Sequence, residues 1–374
     1  KEFYSMICIV SCEHYPDDER IYHREIQTLV NNKIHITYFS RSESDIDLSD
    51  QFVSHINYQK SSFSTDAYQK DLLRIFSENR PMILHIHEPD LLPLAKMVKK
   101  LFNTKVIYDV HEDYPSLIQT FSRWGKIIKN LNGKIWLRKE KQFLEYVDEI
   151  ILASPAINNC GYIENGFIPI VLENFPSSTI LPKVDFKSDR GNTIIYHGHI
   201  GPERGITELI ESISMVAKRV NDVSLSLFGA FRTEQYKKNI LLLIHQLGLN
   251  NHVEWHGHIS HREIWGQLAK NSIGVIPFLD NPLTRLGTPT KLFEFMAAGC
   301  RIVASDLKPM KRYDVDGLAL VKPGNVVALA DHLVKELNNK SVKELQINQR
   351  KIINEYNWES ISIRLIKVYK KLIP

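Results

Sequence analysis

Strand-like and helix-like patterns alternate along this chain of 374 residues in two long runs. That alternation constrains the fold more than any other feature. In the first run, strand patterns at 4–11, 34–39, 82–86, 106–110 and 149–153 are separated by helical patterns at 18–31, 69–76, 91–102 and 126–146. In the second, strand patterns at 193–197, 223–228, 253–256 and 273–277 are separated by helical patterns at 206–219, 233–247 and 262–271. Such alternation predicts parallel sheets with right-handed crossovers. Between the runs, residues 176–192 (PSSTILPKVDFKSDRGN) show no period and carry turn-forming residues. The length exceeds one ordinary core, so two domains are expected. They are 1–175 and 193–355, joined by the linker 176–192 and closed by a helix at 356–374. The fold class is therefore α/β: two doubly wound, Rossmann-like domains facing a central cleft. Ligands of such sheets sit at the carboxyl ends of the strands, so the loops there carry the chemistry.

Composition narrows the class. Hydrophobic residues make up 43% and charged residues 24%, as in a globular protein. The net charge of +4 is too small to argue for nucleic acid. Cys8, Cys12, Cys160 and Cys300 form no CxxC pair, which predicts reduced thiols. No apolar run approaches the roughly 18 residues needed to span a bilayer, and no signal-like segment stands out. A cytoplasmic protein is expected. The first strand end lacks GxGxxG, which counts against a dehydrogenase.

The densest motif is RLGTPTKLFEFMAAGCRIVASD, residues 285–306. Thr288 suits an N-cap and Pro289 the first helical position. Leu292, Phe293 and Met296 supply an apolar stripe, Gly299 a left-handed cap, and 301–305 a short buried strand. Thr290, Lys291 and Glu294 share one face, with Glu294 roughly 6 Å along the axis from Thr290. Amides and Lys291 suit a phosphate, and the Glu294 carboxylate suits a diol. A nucleoside diphosphate offers both. The plainer alternative is a capped amphipathic helix with Glu294 solvated.

This stretch resembles the nucleotide-binding signature of the group 1 glycosyltransferases, a family of GT-B fold. The resemblance implies that Glu294 holds the nucleotide ribose and that the amides around Thr290 receive the diphosphate. Leu286 stands where many relatives carry a glutamate touching the donor sugar. Further motifs extend the likeness. Gly198-His199 and Arg204-Gly205 replace the family's two basic phosphate contacts, and Arg204 is a good bidentate phosphate ligand. Gly229 closes a strand end, and Trp255-His256-Gly257-His258-Ile259 matches the loop whose backbone reads the base. In the first domain, Asp18 and Arg20 look like an Asp-x-Arg opening, against an N-cap with a solvated arginine. His87 and Glu88, then His111 and Glu112, follow two strand ends in family-like order. The resemblance implies that His111 approaches the donor sugar and that this domain takes the acceptor.

The implied activity is transfer of a sugar from a UDP- or GDP-linked donor to a hydroxyl of a glycan or lipid-linked glycan. It implies retention at the anomeric carbon, no metal, and no cofactor beyond the donor itself. Two alternatives stand beside it: a non-hydrolysing sugar-nucleotide epimerase, and an inactive nucleotide-sugar-binding protein, which Leu286 makes thinkable. Two His-Gly-His triplets (His197, His199, His256, His258) do not make a zinc site, because a strand between theirs separates them by about 9.6 Å. The pairs Asp45/Asp47 and Asp314/Asp316 read as solvated turns. Finally, Arg123, Lys126, Lys129, Lys134, Arg138, Lys139 and Lys141 interleave with Trp124, Ile127, Ile128, Leu131, Ile135 and Trp136. That mixture suits a membrane surface. The alternative is that Ile127, Leu131, Ile135 and Trp136 pack inward.

Overall fold

The computed structural model describes residues 6–121, 126–158 and 161–373. The chain divides into two units, Lys1–Asn174 with Ile361–Pro374, and Phe175–Ser360. Each is built on one parallel sheet.

In the first unit the strands are β1 (Met6–Val10), β2 (Ile36–Arg41), β3 (Val53–Tyr58), β4 (Pro81–Ile86), β5 (Lys105–Val110), β6 (Glu149–Leu152) and β7 (Ile170–Val171). Their order is β3-β2-β1-β4-β5-β6-β7, all parallel. Apolar runs such as Ile7–Val10 and Val106–Tyr108 are buried because helices cover both faces of such a sheet. β3 and β7 lie at the two edges. They escape a reading by pattern because β3 is half polar and β7 is two residues long.

In the second unit β8 (Thr193–His197), β9 (Ser224–Phe228), β10 (Val253–Gly257), β11 (Ile273–Ile276), β12 (Arg301–Ser305) and β13 (Ala319–Val321) run in the order β10-β9-β8-β11-β12-β13. The order reverses beside β8 and β4 respectively, the topological switch points where such sheets bind ligands.

Residues 176–192 belong to the second unit and are not a free linker. Arg190 Nη1 donates to the carbonyls of Asn271, Ala298 and Gly299 at 3.0–3.1 Å. The closing helix, Trp358–Leu372, is counted from Ile361 onward with the first unit. There the Tyr369 hydroxyl meets His85 Nδ1 at 2.8 Å. Cys8, Cys12 and Cys300 are free and buried, and Cys160 lies outside the described residues.

Candidate active site

In the second unit the site forms where β8 ends. Gly198 has φ +103°, and a Cβ there would lie 3.0 Å from Lys291 Nζ, so a side chain would crowd the lysine. Lys291 begins the helix Lys291–Ala297, and all seven residues are buried. The helix is thus not amphipathic: it packs against β11, β12 and the helices His261–Leu268 and Lys343–Asn354. Lys291 Nζ lies 5.1 Å from the ring centroid of Tyr196 and 4.9 Å from that of Phe278. The Arg204 guanidinium covers the same Phe278 ring at 4.6 Å. Two cations on one ring repel each other. Burial first, then Arg204, pulls the Lys291 pKa down to about 7, with Glu294 opposing. Among the described residues no carboxylate pairs with Lys291 Nζ.

Glu294 is only 4% exposed, so it is not a solvated carboxylate. His261 Nε2 lies 3.1 Å from its Oε1, and His197 Nε2 lies 3.0 Å from its Oε2. Burial alone would raise its pKa, but the two imidazoles hold the carboxyl well below the usual range. The helix cap also differs from expectation. Thr290, not Thr288, is the N-cap, and it makes no side-chain cap bond. Thr288 Oγ1 instead meets the Tyr313 hydroxyl and accepts from Arg312, each at 2.9 Å, so it is not free to cap.

His199 is exposed, and partial burial together with Arg232, Arg204 and Lys291 lowers its pKa. The shift favours the neutral ring. Gly229 and Gly257 join by a 2.6 Å backbone hydrogen bond, and His258 (exposed) and Ile259 (half-buried) follow them. The two triplets do separate work: His197 faces Glu294, whereas His256 stacks on Phe228 at 4.5 Å, with β9 between their strands. Asp314 and Asp316 both accept from Lys351 at 2.6 Å.

In the first unit the site residues converge where β1, β4 and β5 end. Asp18 Oδ1 accepts from the amides of Arg20 and Ile21 and opens a π-helical stretch, Ile21–Ile26. There the Glu25 amide reaches back to Arg20 O, five residues away, and Arg20 Nε lies 3.1 Å from Glu25 Oε1. Arg20 is not solvated. It is 4% exposed, bonds both oxygens of Asp109 at 2.9 Å, and donates to Leu172 O and Asn174 Oδ1. Its donors are used inside the unit, which removes it from acceptor contact. Glu88 is also withdrawn. Its carboxylate is buried and takes Ser11 Oγ, the amides of Cys12 and Glu13, and His14 Nδ1 at 2.7 Å. Glu112 is exposed.

His111 has both ring nitrogens engaged. Its Nε2 meets His87 Nδ1 at 3.1 Å and its Nδ1 meets His14 Nε2 at 3.3 Å. A sugar hydroxyl would have to displace one of these partners to reach a ring nitrogen. Among the described residues, one group of His, Asp and Glu is close enough to hold a metal ion: Glu25, His85, His87 and Asp109, all buried. Arg20 already pairs with both carboxylates of that group, so the cationic place is taken by a guanidinium.

Residues absent from the motif reading are therefore prominent. His197 and His261 flank Glu294, Phe278 carries the two cations, and His14 adjoins His111. His197 was visible only as part of a triplet, and His14 belonged to no motif. Phe278 and His261 had no signal, because each acts through a partner distant in sequence.

Residues 178–358 match the family model described as glycosyl transferases group 1. The phosphatidyl-myo-inositol mannosyltransferase of Mycobacterium leprae is 24% identical over 293 residues, 77% of this chain and 73% of that protein. Among solved structures, the sucrose-phosphate synthase of Thermosynechococcus elongatus superposes with a TM-score of 0.77 at 17% identity, over 98% of this chain and 99% of that one. The Anabaena protein HepE in complex with UDP-glucose superposes with a TM-score of 0.73 at 14% identity, over 98% and 99%. The matched segment and the fold of both units agree: residues 178–358 carry a group 1 glycosyltransferase domain, and the chain has the GT-B fold.

Proposed function

We propose that the chain moves a sugar from a nucleotide diphosphate sugar to a hydroxyl of a glycan or lipid-linked glycan, with retention and without a metal. The observation that carries this reading is the pair Lys291 and Arg204 on Phe278, a concentration of positive charge with an almost buried lysine lacking a carboxylate. A leaving diphosphate supplies the missing anion. The two cations then stabilise the charge that develops as the glycosidic bond breaks, a task often given to a divalent ion. Glu294, ionised and oriented by His197 and His261, takes the ribose hydroxyls. The Gly229 and His258–Ile259 loops face the base. Gly198 leaves room at the phosphates, and Thr288 and Thr290 flank the lysine. On the first unit, His111 and His87 serve the sugar and acceptor side, and Asp18, Arg20 and Glu88 hold that side in shape.

The helix Lys126–Phe143 supports docking of this protein on an anionic membrane. Ile128, Leu131 and Ile135 are 44, 56 and 44% exposed and form one stripe, flanked by the exposed Lys134, Arg138, Lys139 and Lys141. Leu131 and Ile135 thus do not pack inward. Trp136 is half-buried and stacks on Tyr114 at 4.9 Å. Arg123 and Trp124 lie outside the described residues, as do the side chains of Lys126 and Ile127. Among the described residues no helix is long and apolar enough to cross a membrane.

The test is incubation with UDP-, GDP- and ADP-linked sugars in metal-free buffer, with and without phosphatidylinositol vesicles. Slow nucleotide release, accelerated by an acceptor and unchanged by added magnesium, is expected. An epimerised donor without release establishes the epimerase, and binding without turnover establishes an inactive protein. Dependence on magnesium or manganese overturns the leaving-group account.

A further inference from the structure

Four ionisable side chains form one hydrogen-bonded row in the first unit: Glu88, His14, His111 and His87. The links are 2.7, 3.3 and 3.1 Å. Each connection uses a defined nitrogen. His14 gives Nδ1 to Glu88 and Nε2 to His111 Nδ1, and His111 gives Nε2 to His87 Nδ1. Three imidazoles in series can be satisfied only if donors and acceptors alternate along the row.

We propose that His14, clamped on Glu88, is a positioning residue whose charge state sets the tautomer of His111 and, through it, that of His87. The proposal rests on the transferase reading only for its effect on turnover.

The donor count gives the mechanism. With His14 cationic, Nδ1–H donates to Glu88 and Nε2–H donates to His111 Nδ1. His111 is then neutral with its proton on Nε2, which it donates to His87 Nδ1. His87 in turn holds its own proton on Nε2, which faces the buried Glu25 carboxylate at 4.0 Å. When His14 loses its proton, the one remaining stays on Nδ1 against Glu88. Nε2 becomes an acceptor, and His111 must move its proton to Nδ1. His87 must then donate from Nδ1. One proton on a half-exposed ring thus reverses the whole buried row.

The electrostatics agree. The groups facing His14 are the carboxylates of Glu88, Asp18 and Asp109 and the ring of His111. Burial alone would depress the His14 pKa, but Glu88 outweighs it and raises the pKa to about 9. His111 faces Asp109, Arg20, His14 and His87. Burial lowers its pKa despite Asp109, so it stays neutral while His14 is charged. His87 is lowered as well, by burial and then by His85 and His111.

The test uses the full chain labelled with ring-15N histidine. Long-range 1H–15N spectra read each ring's protonation and tautomer, with assignment by His14→Gln and His111→Gln. At pH 7, His14 is expected doubly protonated and His111 protonated on Nε2. Above pH 9, His111 is expected to carry its proton on Nδ1. In Glu88→Gln the same switch is expected by pH 8, because His14 loses the carboxylate that holds its charge. Should that variant not fold, titration of the unmodified protein from pH 7 to pH 10 gives the same reading. A His111 proton on Nδ1 at pH 7, or a tautomer unchanged from pH 7 to pH 10, overturns the proposal. The bearing on catalysis is read from nucleotide release from UDP-glucose and GDP-mannose in water. Glu88→Gln is expected to lose about tenfold per pH unit above its lowered His14 pKa, and to recover at pH 6.5. If neither donor is turned over by the unmodified protein, the transferase reading fails while the tautomer result still decides the role of His14.

Discussion

Arg20 reaches Asp109 with two parallel hydrogen bonds of 2.9 Å, joining the opening of the first π-helical stretch to the end of β5, 89 residues away. Both side chains are buried. Removing one partner leaves the other charge without compensation. Arg20→Met is therefore expected to destabilise the first unit by about 3–5 kcal/mol, read from urea unfolding followed by far-UV dichroism. Arg20→Lys should restore little, because an ammonium lacks the planar fork. A transition midpoint unchanged in Arg20→Met would show that Arg20 does not organise this end of the sheet.

In the role proposed for it, Lys291 would make nucleotide binding depend on pH. Its pKa of about 7 in the free protein means that the charged form is lost as pH rises through neutrality. A bound diphosphate favours that charged form. Affinity for UDP or GDP should consequently fall between pH 7 and pH 9, by up to about tenfold per unit, with proton uptake on binding. Calorimetry in two buffers of different ionisation enthalpy measures the uptake. Lys291→Met should weaken binding by about 1.5–3 kcal/mol and abolish the pH dependence. The same slope in Lys291→Met would place the titration elsewhere.

Glu294→Ala is expected to weaken binding of the free nucleoside diphosphate by about 2–3 kcal/mol through loss of charged hydrogen bonds. Titration calorimetry on the folded variant decides, and unchanged affinity sinks the ribose assignment. The native carboxyl also contributes to stability in a defined window. Its folded pKa is depressed below the ordinary 4.5, so the contribution is present above that pH and is lost as pH falls below it. The acid limb of the stability curve should flatten in Glu294→Gln.

His111→Ala is expected to lower turnover tenfold or more while leaving affinity for the free nucleotide nearly intact, because His111 lies on the first unit and the nucleotide contacts proposed above lie on the second. Normal turnover in this variant would make His111 a structural member of its histidine row.

On the membrane face, each Lys or Arg near an anionic leaflet contributes about 1 kcal/mol. The triple change Lys134→Glu, Arg138→Glu and Lys139→Glu should reduce cosedimentation with anionic vesicles by about a hundredfold at low salt, and Leu131→Asp should reduce it further. Binding that survives these changes, or that is absent from the unmodified protein at low salt, refutes docking by this helix.

The two-sheet architecture was legible in the sequence because parallel strands buried on both faces leave uninterrupted apolar runs, such as Ile273–Ile276, with helical periods between them. The gathering of Thr290, Lys291 and Glu294 was legible for a related reason: residues a few positions apart on one helical turn lie close together whatever the rest of the chain does. Edge strands such as β3 and β7 were not, since half-exposed or two-residue strands carry little period. Nor could a pattern show that the helix Lys291–Ala297 is buried all round, because its cover comes from segments as distant as Lys343–Asn354. The charge states were least legible. Arg20 and Asp109 are 89 residues apart in sequence, His14 and Glu88 are 74 apart, and His261 and Glu294 are 33 apart. Residue type told what each could do. Only the tertiary structure decided which were charged, which were held, and which were left to meet a ligand, because burial and partner distance set a pKa and neither is a local property of the chain.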